Sequence, residues 1–479
     1  MEENKNEVKV RIHFVGIGGC GVSAVALIAF GQNYFVSGSD LHESIYTKKL
    51  QDNGILISIG EHKKENVLLD TNLLVHSPAV KEDNLEIAQA KKMGIPVLTH
   101  AQLLGILMED KYAICVAGSH GKTTTDALIG LILKDANLNP TVEVGGYVPE
   151  FEGNAIFGES RYFIAEACEF DHSFLYLKPK IAILLNIESD HPDYYLDVRS
   201  LKKAFVAFLD LVPKDGYIIA NDESKEVHDV LKRTKSKAQI ITFGFHDKAE
   251  VKIISERLLD NDHWQFQLTG MEKRRRPILD KERSGIPLFE TSLPGRHNIL
   301  NATAALIVSD ILGVDMTSVR DSLVNFKGVG RRFEIVDQRY GITVITDYAH
   351  HPSQIKATIK AAKRKDFKRL IVAFQPHTYS RTKALFKEFI HSFSEADQVF
   401  IMNTYVPEGR NEKILKGFTS NDLTKAIKNY QEDVIFSGNL EKTKENLRNN
   451  LKVGDCLLLL GAGDIYKIGK EVLDKEIQV

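Results

Sequence analysis

Apolar runs of strand length alternate with longer helical patterns three separate times along the chain. The first series begins at residues 10–15, the second at 112–117, and the third near 342–346, continuing through 370–374, 398–402 and 456–460. Short continuous apolar runs joined by amphipathic segments are what buried parallel strands with helical crossovers look like, so three α/β units with mainly parallel sheets are expected. No repeat of solenoid length is visible. The stretch from about 250 to 290 is strongly charged, with a basic cluster at 273–276, and reads as strands and loops decorating the middle unit with a solvated surface. Polar breaks at Glu109-Asp110-Lys111 and near residues 325–330 divide the chain into 1–110, 111–326 and 327–479.

A length of 479 residues exceeds what one core usually supports, in keeping with several domains. Hydrophobic residues make up 43% and charged residues 26%, which is ordinary for a folded globular protein. The net charge of −2 gives no basic surplus to draw the chain onto nucleic acid or anionic lipid, so small-molecule partners are expected. Cys20, Cys115, Cys168 and Cys456 are widely spread with no CxxC pair, which suits a reducing compartment. The charged N-terminal stretch runs directly into a strand, and no span of roughly 18 apolar residues occurs, so a cytoplasmic protein without membrane insertion is expected.

Against this background the glycine-rich turns stand out. Gly16-Ile17-Gly18-Gly19-Cys20-Gly21 follows the first strand and opens a helix. Glycines there let the backbone approach a diphosphate, which the helix N-terminus attracts. Asp40, at the end of the next strand, is placed to meet a ribose hydroxyl. The pattern fits NAD and a UDP-sugar equally. The second unit carries Gly118-Ser119-His120-Gly121-Lys122-Thr123-Thr124 between a strand and a helix. Its glycines stand two residues closer than in the usual GxxxxGK[ST], yet the parts of a phosphate loop are present: backbone N–H groups, a lysine for the β and γ phosphates, and a hydroxyl for Mg²⁺.

Glu166 and Asp190-His191 follow later strands, and Glu166 with the Thr123 hydroxyl makes an oxygen pair suited to Mg²⁺. His191 alone reads equally as a loop histidine. Asn298 and Asn301 lie at a helix entry, where Asn is most often a cap. Asp347-Tyr348-Ala349-His350-His351-Pro352 and Gln375-Pro376-His377-Thr378-Tyr379-Ser380-Arg381 sit at strand ends in the third unit, as a second substrate's landing site would.

Together the segments HFVGIGGCGVSAVA, HSPAV, GSHGKTTT, EACEFDHSFL, NIESDHPDYY, GRHNILNA, GRRFE, DYAHHP, FQPHTYSRT and LLGAGDI resemble, in order, those of the Mur ligases, ATP-dependent enzymes that build the peptidoglycan stem peptide. Phe205 falls where members adding later stem components carry a carbamylated lysine, and Gln375, His377 and Arg381 follow the pattern of the alanine-adding member. The resemblance implies a Rossmann-like first domain, a central P-loop ATPase-type α/β domain and a Rossmann-like C-terminal domain. It implies an amide formed between the lactyl carboxylate of UDP-N-acetylmuramate and L-alanine, through an acyl phosphate, with ATP and Mg²⁺, by a monomer or homodimer. Implied alternatives are a recycling ligase that attaches a preformed peptide and, from the glycine-rich loop alone, an NAD-dependent dehydrogenase.

Residue by residue, the resemblance gives Lys122, Glu166 and His191 catalytic roles and makes Thr123, Glu166 and His191 metal ligands. ATP would meet residues 118–124, Asn298, Asp347 and Arg331 or Arg332. Gly18, Gly19, Asp40 and Ser77 would hold the UDP-sugar, and His377, Arg381 and Tyr348 the amino acid. The chain departs from the family at Cys168, an aspartate in many relatives, at Thr378, often arginine, and at His100, also often arginine.

Overall fold

The structure is a computed structural model that describes residues 10–189, 194–195, 197–271, 287–407 and 412–474. Asp190, His191 and the basic cluster at 273–276 lie outside the described residues.

Three sheets form among the described residues. The first holds β1 (Arg11–Val15), β2 (Phe35–Asp40), β3 (Leu56–Ile59), β4 (Leu73–His76) and β5 (Val97–Thr99), all parallel, in the order 3-2-1-4-5. The chain reverses its direction of winding between β1 and β4, so the loop after β1 opens at the place where such sheets bind ligands. That loop leads into the helix Cys20–Gly31, which is apolar nearly all round and buried from Val22 to Ala26. Such a helix needs cover on more than one side. Its outer side meets the middle sheet's strands β7 (Thr141–Val148) and β8 (Gly153–Ile156).

The second sheet adds β6 (Tyr112–Ala117), β9 (Tyr162–Ala167), β10 (Ile181–Leu184), β11 (Tyr217–Asn221), β12 (Gln239–Gly244), β13 (Val251–Leu258), β14 (Trp264–Thr269) and β15 (Leu288–Thr291). Its order is 15-14-13-12-11-10-6-9-7-8, with β6 between β9 and β10. Strands β13 to β15 pair antiparallel, and Trp264, Phe266 and Leu268 turn inward while their neighbours are half exposed. This is the charged decoration expected after residue 250.

The third sheet consists of β16 (Glu334–Arg339), β17 (Ile342–Asp347), β18 (Arg369–Phe374), β19 (Gln398–Met402), β20 (Val434–Gly438) and β21 (Asp455–Leu460), in the order 16-17-21-18-19-20. Alternate residues of one strand serve two cores: Leu458 and Leu460 pack with Phe374 and Phe389, Leu457 and Leu459 with Phe400 and Ile468. A strand covered on both faces reads as a continuous apolar run, which is why β21 is legible in sequence. By contact density the first two sheets belong to one compact unit and the third to another. No helix among the described residues is long and apolar enough to cross a membrane.

Candidate functional site

At the carboxyl end of β6 the chain turns through Gly118 to Gly121 and enters the helix Lys122–Asp135. Gly121 has φ +87°, and a Cβ there would stand 2.6 Å from Asn301 Oδ1. Only glycine fits. Asn186, just past β10, grips the loop: it accepts the N–H of His120 at 2.8 Å and donates to the carbonyl of the same residue at 3.0 Å. Ser119 is held as well, its N–H on the Asn186 carbonyl at 3.0 Å and its hydroxyl on the Glu188 carbonyl at 3.1 Å.

Lys122 is buried beneath this loop, with Nζ 2.6 Å from the Gly118 carbonyl and 3.0 Å from Glu169 Oε2. Burial by itself would lower the lysine's pKa, but the charges of Glu169, Cys168 and Glu166 outweigh it and hold the group above its ordinary value. The ammonium is therefore charged and close to where phosphate oxygens would be cradled. One turn edge away, the Thr123 hydroxyl donates to Glu166 Oε2 at 2.8 Å. A hydroxyl and a carboxylate meeting at a phosphate loop are hard oxygen donors of the kind Mg²⁺ takes, so these two residues fit that ion.

Behind Glu166 lie two further buried acids. Glu143 Oε2 accepts the Glu166 N–H at 3.0 Å, and burial followed by the Glu166 charge pushes the Glu143 pKa up to about 8. Asp126 is raised well above its usual value, by burial first and then by Glu166 and Glu143. Asn298 bonds Asn301 at 2.9 Å, so the helix His297–Leu312 is set against Gly121 through that pair.

In the first sheet, Asp40 Oδ2 accepts the N–H of Gly18 at 2.8 Å, and the N–H groups of Gly16 and Ile17 reach the Ser39 carbonyl at 2.9 and 3.1 Å. Asp40 thus braces the glycine-rich loop. Ser39 is anchored in turn by Glu86, a fully buried carboxylate that also takes donors from His13 at 2.9 Å and Asn66 at 2.6 Å. Ser77 Oγ accepts the Ala79 N–H at 3.2 Å beside Gly16, and Gly19 precedes the helix Cys20–Gly31. His100 lies beside Gly21, with a pKa lowered to about 4 by burial and by His76.

In the third sheet, Asp347, Gln375 and Gly461 close three adjacent parallel strands. Asp347 accepts N–H groups from Phe333 at 2.8 Å and Ala349 at 2.7 Å, while burial raises its pKa. The Arg331 guanidinium donates to the carbonyls of Gly461 and Gly463 at 2.8 and 2.9 Å and lies over the rings of Tyr348 and Tyr466. Arg332 also lies over the Tyr348 ring, 4.9 Å from its centre, and its charge acts on Asp347. Arg381 is only 2% exposed and donates to His377 Nδ1 at 2.8 Å. His377 also stacks on Tyr405. Thr378, between them in sequence, is fully buried at φ +63°, a strained conformation for a β-branched residue.

Sequence reasoning passed over Asn186, Glu169 and Glu143. Glu169 stands within EACEFD and could have been found as a second acid near the lysine; the Asn186 side chain acts on main-chain atoms of His120, which no spacing rule reveals.

The fold and these clusters define a nucleotide-dependent ligase type of architecture, and comparison with known proteins gives it a family. Residues 11–112 match the Mur ligase family catalytic domain, 116–309 the Mur ligase middle domain and 331–463 the Mur ligase glutamate ligase domain. The chain belongs to the Mur ligase family. It is 39% identical over 469 residues to the UDP-N-acetylmuramate–L-alanine ligase of Caldanaerobacter subterraneus, covering 97% of each chain. To the enzyme of the same name from Acetivibrio thermocellus it is 40% identical, over 97% of this chain and 96% of that one. Among solved structures, the UDP-N-acetylmuramate-alanine ligase MurC of Thermotoga maritima superposes with a TM-score of 0.77 at 27% identity, covering 97% and 98% of the two chains. A murein peptide ligase of Psychrobacter arcticus shares the fold, with a TM-score of 0.70 at 21% identity over 97% and 98%.

Proposed function

We propose that the chain joins L-alanine to the lactyl carboxylate of UDP-N-acetylmuramate in an ATP-dependent reaction of peptidoglycan synthesis. The observation that carries this reading is the phosphate loop with buried, charged Lys122 and the Thr123–Glu166 pair, in a chain whose near full-length relatives bear that enzyme's name. The carboxylate attacks the γ-phosphorus of ATP, giving an acyl phosphate and ADP. The neutral amine of alanine then attacks the acyl carbon, a proton leaves the nitrogen, and phosphate departs as the amide forms.

Within this reading, residues 118–124 cradle the ATP phosphates and Lys122 neutralises charge on the transferring oxygens. Thr123 and Glu166 would hold Mg²⁺, which supplies further charge neutralisation when bound. Asn298 belongs to the adenine side and Asp347 to the ATP ribose. Of Arg331 and Arg332, Arg332 is the better assigned to phosphate, because the Arg331 side chain is already committed to two carbonyls and two rings. The glycine-rich loop with Gly18, Gly19 and Ser77 takes the UDP-sugar, while Asp40 shapes that loop. His377, Arg381 and Tyr348 serve alanine. ATP and a UDP-sugar are cytoplasmic metabolites, which locates the reaction there, and the working domains are 1–110, 111–326 and 327–479.

Hydroxylamine tests the central step. With ATP, Mg²⁺ and UDP-N-acetylmuramate, and hydroxylamine in place of alanine, phosphate release and a muramyl hydroxamate are expected. Phosphate release at the same rate without the muramyl substrate, and no hydroxamate, would reduce the protein to an ATPase.

A further inference from the structure

The hairpin of β7 and β8 touches the glycine-rich loop at Cys20 on one side and Glu166 at the end of β9 on the other. From β8, the buried side chain of Asn154 donates through Nδ2 to the carbonyl of Cys20 at 2.5 Å and to Ser23 Oγ at 2.9 Å. Cys20 belongs to the glycine-rich loop and is the first residue of the helix Cys20–Gly31; its Sγ meets the Val144 carbonyl of β7 at 3.8 Å. From β7, Glu143 takes the N–H of Glu166. Gly145 comes so close that a Cβ there would lie 2.4 Å from Glu166 Oε2, the oxygen that holds the Thr123 hydroxyl. Glu143 and Ala155 are paired in register, so Asn154 and Val144 each lie one residue from the pair whose other end holds Glu166.

We propose that this hairpin links the two substrate sites mechanically, with Asn154 as a positioning residue that ties the glycine-rich loop to the Glu166 carboxylate. The inference rests on the assignment above of the glycine-rich loop to the sugar nucleotide and of Thr123 and Glu166 to the ATP side. A ligand that fixes the Cys20 peptide fixes Asn154 and the hairpin, and the hairpin fixes where Glu166 stands. Hydrogen bonds join Asn154 to Cys20 and Glu143 to the Glu166 N–H, the close approach of Gly145 reaches the Glu166 carboxylate by packing, and any coupling this path carries is reciprocal.

Titration calorimetry on the full chain tests this. In the wild type, saturating imido-bridged ATP analogue with Mg²⁺ is expected to tighten UDP-N-acetylmuramate binding by about fivefold or more, and the sugar nucleotide to tighten the analogue by the same factor. In Asn154→Ala the factor falls to within about twofold of one, while the analogue alone binds as it does to the wild type. Gly145→Ala, at an exposed position, perturbs the other end; the sugar nucleotide alone binds normally and the factor again falls. Retention of the wild-type factor in either variant overturns the proposal, as does binding of both ligands to the wild type without mutual effect. Failure of the wild type to bind UDP-N-acetylmuramate at all would instead overturn the assignment of the site.

Discussion

The hydroxyl of Thr123 donates to Oε2 of Glu166 across 2.8 Å, joining the first turn of the helix after β6 to the end of β9. Those strands are neighbours in parallel register, with Val116 opposite Glu166, so the pair meets by virtue of the sheet itself. Replacing Glu166 with Gln keeps the shape and removes the charge. The Mg²⁺ concentration for half-maximal ligation is expected to rise by roughly 10- to 100-fold. A Mg²⁺ titration of activity checks it, and an unmoved midpoint returns the pair to a structural role.

Gly121→Ala is expected to destabilise the compact unit that holds the first two sheets by about 1–3 kcal/mol, since alanine resists φ +87° and its Cβ would press on Asn301. Asn301→Ala in the same chain would remove the clash and recover part of the loss while leaving the backbone strain. Denaturant midpoints of the two variants and the wild type measure both parts.

Glu86 gives a prediction in acid. Burial would raise its pKa, but hydrogen bonds from His13, Ser39 and Asn66 prevail and hold it at about 2, below the ordinary 4.5. A depressed folded-state pKa means stability that is present above about pH 4.5 and is lost as pH falls through about 2. The contribution is roughly 3 kcal/mol. Glu86→Gln should unfold more readily at pH 7 and show a shallower further loss between those pH values. Parallel pH-dependent unfolding curves would sink the idea.

His377 and Arg381 should part company on substitution. His377→Ala is expected to raise the KM for L-alanine by about tenfold or more with the KM for ATP unchanged. Arg381, 2% exposed, should fail differently: Arg381→Ala is expected to lower the melting temperature as well, because it removes a buried cation from a site built around it. Steady-state kinetics with each substrate varied, alongside thermal melts, separates the two.

Much of this was legible because it is local. A glycine turn between a strand and a helix declares itself in a dozen residues, and strands buried on both faces, such as β6 and β21, are unbroken apolar runs. Strand β16 was missed because its residues are mostly exposed and polar and it pairs antiparallel at the sheet's edge. The hairpin of β7 and β8 escaped for another reason: Glu143, Gly145 and Asn154 matter through contacts with Glu166 and Cys20, far away in sequence. Asp40 and Arg331 also carry internal contacts that their residue types do not announce: Asp40 accepts a loop N–H, and the Arg331 guanidinium is held by Gly461 and Gly463.

The double grip of Asn186 on the main chain of His120 separates the shape of the phosphate loop from the identity of its side chains. Both peptide planes flanking residue 120 are fixed during folding, so a nucleotide arriving later meets a loop whose ordering entropy has already been lost. Any residue but proline presents that N–H and carbonyl, so a substitution at position 120 leaves the grip of Asn186 in place, while the His120 ring is paired separately with Glu188 at 3.3 Å.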